Sequence, residues 1–144
     1  MKKVNIYLEP KKRGVRMEHG ACGWVTEFVT SKGVPVTRSG IAVENHTTGN
    51  RIMLLALVKA MDILKIPCEI TVHTHSAYLE GVCGGWLFEW EKNNWQKKDG
   101  RSLKNIDILT VLFMHLENGH RVEFVLQEKN IYSEWMKGEM KKCL

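Results

Sequence analysis

Two histidines separated by a single residue, in the run Thr71-Val72-His73-Thr74-His75-Ser76, are the clearest pairing of metal-ligating side chains in the chain. Residues two apart on an extended strand share a face, so His73 and His75 project together. Glu9 joins them if the strand ending near Pro10 runs alongside. Two imidazoles and a carboxylate suit zinc or manganese. The competing reading makes His73 a partly buried sheet residue hydrogen-bonded to a neighbour. Nucleophilic chemistry has less to build on. The four cysteines, Cys22, Cys68, Cys83 and Cys143, form no C-x-x-C pair and fall in no motif with a base. They read as free thiols, which argues against a zinc ribbon, a disulfide scaffold and an acyl-transfer centre.

Charge suggests a different chemistry. A net charge of +5 and a pI near 9.1 favour a polyanionic partner, because each phosphate met by Lys or Arg releases condensed counterions. Basic residues gather at Lys11, Lys12, Arg13 and Arg16, and again at Lys92, Lys97, Lys98, Arg101 and Lys104. In the second group they outnumber Glu89, Glu91 and Asp99 and follow Trp86, Trp90 and Trp95. That mixture suits phosphate tracking with stacking on an aromatic ring. The bland alternative is a solvated loop after a helix whose tryptophans pack inward.

The elements that must position these groups follow from periodicity. Val4 to Glu9 alternates as a strand and stops at Pro10, which cannot donate to a sheet ladder. Gly20 to Val29 reads as a second strand with small residues at its start, and Val36 to Val43 as a third, joined by the Ser31-Lys32-Gly33 turn. From Asn50 to Leu64 the apolar residues take a helical period, with Pro67 just beyond. Glu69 to Thr74 is a fourth strand, and Ser76 caps a short helix. A helix over Trp86 to Trp95 leads into a Lys-rich loop, and another runs from Ile106 to Leu116, closed by Gly119. Arg121 to Leu126 is the last strand and Ile131 to Lys142 the last helix. The order is βββαβαααβα. At 144 residues and 44% hydrophobic content, one core suffices, so residues 1–144 read as a single unit. Nothing approaches about eighteen consecutive apolar residues, and the start MKKVNIYLEP lacks a signal peptide's apolar run. The expectation is a cytoplasmic protein with no membrane association.

With those elements in place, Thr48-Gly49-Asn50-Arg51-Ile52-Met53-Leu54-Leu55-Ala56 resembles the T-N-N-R-x-E-L-x-A helix start of type 1 ribonuclease H. Thr74-His75-Ser76-Ala77-Tyr78 resembles its T-D-S-x-Y corner, and Trp86 to Asp107 its basic handle, here about residues 86–104, with the K-N-x-D-L turn that follows. The likeness covers residues 3 to about 127. It implies an α/β ribonuclease H-like fold: a five-stranded mixed sheet, three antiparallel strands followed by two parallel additions, flanked by helices. The family cleaves the RNA strand of an RNA–DNA hybrid with two Mg²⁺ ions held by four carboxylates. Here those positions read Glu9, Met53 and His75, and the fourth is echoed only by Glu134. Met53 and His75 do not suit a hard cation.

The resemblance also implies groups that hold nucleic acid. Thr48 and Asn105 match a phosphate pocket for the DNA strand, and Asn50 matches a minor-groove amide whose neighbour is replaced by Gly49. Tyr78 and Trp86 match the aromatic pair of the DNA channel, and Lys92, Trp95, Lys97, Lys98, Arg101 and Lys104 form the handle surface. Asn105 has an alternative as a helix cap. The expected protein is a catalytically inactive ribonuclease H-like binder of hybrid, duplex or single strand, needing no cofactor, with Mg²⁺ or Mn²⁺ relevant only to residual nuclease activity. Two alternatives remain. One is a pseudoenzyme scaffold docking a protein partner through Trp135, Met136, Met140 and Leu144. The other is a nuclease with a metal site rebuilt on Glu9, His73 and His75.

Overall fold

A computed structural model describes residues 1–142; Cys143 and Leu144 lie outside the described residues, so neither the free thiol expected at Cys143 nor the patch residue Leu144 is placed. The strands are β1 (Lys2–Pro10), β2 (Arg16–Val29), β3 (Pro35–Thr48), β4 (Cys68–Thr74) and β5 (Arg121–Leu126). The helices are α1 (Gly49–Asp62), α2 (Ala77–Gly81), α3 (Leu87–Lys92), α4 (Ile106–Glu117) and α5 (Ser133–Lys141), with a π-helical turn over Val82–Trp86 between α2 and α3. The sheet runs β3-β2-β1-β4-β5. β1 pairs antiparallel with β2, and β2 with β3, whereas β4 adds parallel to β1 and β5 parallel to β4. Three antiparallel strands followed by two parallel additions are the arrangement that the resemblance implies.

Strand alternation sorts the core into two layers. Val4, Ile6 and Leu8 of β1 face α1 and α4, together with Trp24, Ile70, Val72, Leu57, Leu109 and Leu112. Tyr7, between Ile6 and Leu8, faces the other way and packs with Val25, Met136 and Met140 beneath α5. Thr26 is tied to α1 by its hydroxyl, which donates to the Ala60 carbonyl at 3.0 Å.

Several boundaries differ from the expected ones for physical reasons. β2 begins at Arg16 and β3 runs on to Thr48, because the hairpin ladder continues past the apolar alternation, pairing Arg16 with Thr48 and Met17 with Thr47. The helix expected over Trp86 to Trp95 is α3, ending at Lys92; Asn94 and Trp95 take φ of 55° and 61°, a left-handed turn that ends a helix. α5 starts at Ser133 because Asn130 and Ser133 satisfy the preceding amides, Asn130 Oδ1 accepting from Tyr132 N at 2.9 Å and Ser133 Oγ from Asn130 N at 2.9 Å. Cys22, Cys68 and Cys83 are free thiols. Among the described residues, no helix is long and apolar enough to cross a membrane.

Candidate nucleic-acid interface

Thr48 ends β3 and caps α1, its hydroxyl oxygen accepting from Arg51 N at 3.1 Å. Arg51 is fixed by carboxylates on two sides: Nε reaches Glu44 at 2.8 Å, while Nη1 and Nη2 reach Asp107 at 2.9 and 2.8 Å. The guanidinium holds both the Asp107 and the Glu44 carboxyl below their usual values. Nη1 also donates to Asn105 Oδ1 at 3.4 Å, joining the start of α1 to the start of α4. Asn105 therefore does not cap with its side chain. It sits at the N-cap position in the left-handed region, φ 66°, with its amide turned toward Arg51 and Tyr78. Burial pushes the Tyr78 hydroxyl up, and the hydrogen bond with Asn105 opposes it.

The aromatic side of the surface continues from there. Tyr78 and Trp86 lie 6.2 Å apart between ring centroids, and Trp86 and Trp90 6.1 Å. Trp86 is 48% exposed. Its six-membered ring occupies the space where a Cβ on Gly81 would stand, 2.6 Å from the nearest ring carbon, so the glycine seats the indole. Trp95 is placed differently: it packs edge-on against Phe113 at 5.5 Å and fastens the handle to α4. Asn50 is exposed on the first turn of α1. Gly49 is required where it is, since a Cβ there would collide with the Gly14 carbonyl that accepts from Gly49 N at 3.1 Å.

In the handle loop, Gln96 and Ser102 form a bridge around a turn closed by Gly100 at φ 85°. Arg101 is paired with Asp99 at 2.7 Å and Lys92 with Glu89 at 3.9 Å. Among the described residues, Lys97, Lys98 and Lys104 form no salt bridge and remain exposed, Lys97 standing close enough to help hold the Asp99 carboxyl low.

The positions that match the carboxylates do not form one acidic cluster. Met53 is 3% exposed in the α1-side core, its Sδ 3.4 Å from the Cys22 thiol, which burial pushes far up. Glu9, on the opposite face of β1 to Leu8, is buried at the end of its strand. His75, just past β4, is held below its ordinary value by burial and next by Arg13, with Glu9 and Glu128 pulling the other way. Glu134 is on the surface, 3.5 Å from Lys129. Arg13 reaches across to Glu128 at 2.6 Å. Among the described residues, no group of three or more His, Cys, Asp or Glu side chains is placed to hold a metal ion. The donor set does not fit a pair of hard divalent ions.

His73 belongs to another network. Its Nε2 lies 3.0 Å from Asn5 Oδ1 and its ring stacks on Tyr7 at 4.3 Å. Asn5 Nδ2 donates to Glu27 Oε1 at 3.2 Å, so Oδ1 is the face left for the imidazole and Nε2 must carry the hydrogen. Tyr7 and Tyr132 also donate to Glu27, at 3.4 and 2.6 Å, locking the start of α5 to the sheet. Burial raises the Tyr7 hydroxyl to about 12, and the bond to Glu27 raises that of Tyr132 to about 12. Tyr78 is raised as well, and there are three tyrosines. An absorbance titration of the folded protein should therefore show no phenolate from Tyr7 or Tyr132 around pH 10, the ordinary tyrosine value, so that the signal of at most one tyrosine, Tyr78, develops before the other two. The unfolded chain loses these protons first, so stability should be intact below about pH 10 and fall as the pH rises toward 12. A signal from more than one tyrosinate near pH 10 before unfolding would contradict the network.

A five-stranded mixed sheet in the order β3-β2-β1-β4-β5, flanked by helices, is the ribonuclease H class of fold. The RNase H family model matches residues 12–138, and the chain belongs to the RNase H family. It is similar to Ribonuclease H of Caldicellulosiruptor saccharolyticus, 34% identical over 125 residues covering 86% of this chain and 81% of that protein. It spans about half the length of several other curated relatives, among them those of Actinobacillus succinogenes and Pasteurella multocida, at 54% and 53%. The structure of LC9-RNase H1, a type 1 RNase H with the type 2 active-site motif, superposes with a TM-score of 0.76 at 22% identity, covering 96% of this chain and 70% of that one. The foamy viral protease-reverse transcriptase in complex with dsDNA gives 0.69 at 14% identity, covering 97% and 90%.

Three features escaped the sequence reading. Arg51 organises the Thr48–Asn105 junction, Glu27 anchors α5, and Arg13 pairs with Glu128. Arg51 stands inside the Thr48-Gly49-Asn50-Arg51 motif, so its place was visible though its partners were not. The other two depend on residues 105 and 115 positions apart, which no local pattern encodes.

Proposed function

We propose that this chain binds nucleic acid along the surface running from Thr48 through Arg51, Asn105, Tyr78 and Trp86 to the handle lysines, and that it does not cut the bound strand by two-metal chemistry. The observation that carries the binding half is the continuity of that surface: the junction that orients Asn105 adjoins an exposed indole, and the exposed Lys97, Lys98 and Lys104, free of salt bridges among the described residues, lie beyond. The family supports the ligand class, and a structure of the same fold holds dsDNA. The other half is supported by Met53 sitting in the core and by cations standing around Glu9 and His75. Thr48 and Asn105 meet phosphate, Trp86 lies against a sugar or base, and the lysines supply diffuse charge. Trp95, packed on Phe113, holds the handle in place.

A binding panel of ssDNA, ssRNA, dsDNA, dsRNA and hybrid at two salt concentrations tests this. Replacing Lys97 and Lys98 with Gln should weaken every ligand alike and make the log-affinity slope against log salt shallower by roughly one unit for each phosphate no longer neutralised. Trp86→Ala should cost on the order of 1–3 kcal/mol with little change in slope, because stacking is removed and charge is not. Unaltered binding by both variants would exclude this surface.

A further inference from the structure

At the carboxyl ends of β1 and β5, on the side of the sheet where open α/β sheets place their ligands, lies a cavity of about 290 Å³ lined by Glu9, Pro10, Lys11, Arg13, Glu128, Lys129 and Lys137. Four basic side chains face two carboxylates there. Two of the cations are occupied: Arg13 binds both the Glu128 carboxylate at 2.6 Å and the Glu128 carbonyl at 3.0 Å, and Lys129 leans on Glu134 at 3.5 Å. Among the described residues, Lys11 and half-buried Lys137 have no ion-pair partner, which leaves Glu9 as the cavity's one carboxylate outside an ion pair. Such a lining repels a divalent cation and attracts an anion, and a lysine ammonium is a common point-charge partner for phosphate.

We propose that this cavity takes a phosphate group directly, with Lys11 and Lys137 as its counter-charges. A backbone phosphate is then gripped by the two ammonium groups without any metal. The proposal rests on the nucleic-acid reading for its preferred ligand, a phosphodiester of the bound strand. Free pyrophosphate shares that chemistry and separates the two sources.

The test measures hybrid binding in EDTA and in Mg²⁺, and pyrophosphate binding by calorimetry, for the wild type, Lys11→Gln/Lys137→Gln and Lys97→Gln/Lys98→Gln, with circular dichroism melts as the folding control. The cavity variant should bind hybrid at least about tenfold more weakly and with a salt slope shallower by roughly one to two units. Mg²⁺ should not strengthen wild-type binding. An unchanged slope and affinity in the cavity variant, beside a weakened handle variant, overturns the cavity and leaves the nucleic-acid reading standing. If the wild type binds neither the hybrid nor any other member of the nucleic-acid panel, the nucleic-acid reading fails. Pyrophosphate binding abolished by Lys11→Gln/Lys137→Gln then supports a site for a free anion, and no pyrophosphate binding overturns the cavity too. Mg²⁺-dependent strengthening of hybrid binding also overturns it.

Discussion

Incubated with an RNA–DNA hybrid and Mg²⁺, the protein is expected to leave the RNA strand intact. Two-metal cleavage needs oxygen ligands that hold both ions between attacking and leaving oxygens. Here one required position is the thioether of Met53, directed at Cys22, and another is the His75 imidazole beside Arg13. Glu9 alone offers a buried carboxylate at that end of the sheet, and Glu134 is turned to the surface beside Lys129. Met53→Glu with His75→Asp should restore at most weak cleavage, since the last acidic position is echoed only by Glu134, which is held by Lys129, and the cations stay in place. Product formation by a contaminant-free preparation at rates like those of an active ribonuclease H would contradict this.

Restoring the acidic residue at position 53 should instead unfold part of the population. Met53 is 3% exposed and packed among apolar side chains, so Met53→Glu buries a carboxyl with a thiol as its nearest polar neighbour. Mutations of this kind cost on the order of 3 kcal/mol or more. The sign with pH is fixed by linkage. Burial raises that carboxyl above its unfolded value of about 4.3, so the loss relative to wild type should be smallest near pH 4 and grow as the pH rises toward 7. Urea unfolding of both proteins at the two pH values checks it. An unchanged midpoint at pH 7 would show that the side chain escapes to water and that the core at the start of α1 is looser than described.

Much of this architecture was legible in the sequence because it rests on short-range pattern. The alternation of Val4, Ile6 and Leu8 against Asn5, Tyr7 and Glu9 specifies a strand with two different faces, and both faces are used as the pattern implies. The run Thr48 to Ala56 was legible as a helix start, whereas the capping by Thr48 emerged only with the fold. The handle helix was overextended because Asn93, Asn94 and Trp95 carry no proline or glycine to end it; the stop is a backbone choice at Asn94 and Trp95, supported by packing on Phe113. The pairing of His73 with His75 was readable from strand geometry, but not the outcome. His73 is claimed by Asn5 and Tyr7, while His75 lies beyond the strand among Arg13, Glu9 and Glu128. The cavity was least legible of all. Lys11 and Arg13 read only as a basic loop, and Lys137 as a polar position on the last helix, until the fold brought them together.

The most direct measurement of the central claim, binding without cutting, is a titration of an end-labelled RNA–DNA hybrid in EDTA and in Mg²⁺ across a salt series, with the RNA from each sample then resolved on a denaturing gel. The expected result is saturable binding that weakens steeply with salt, is no tighter in Mg²⁺ than in EDTA, and leaves the RNA full length throughout. Shortened RNA in Mg²⁺ alone, or no binding below about 10⁻⁴ M at moderate salt, the weak end of ordinary non-specific affinity, would contradict it.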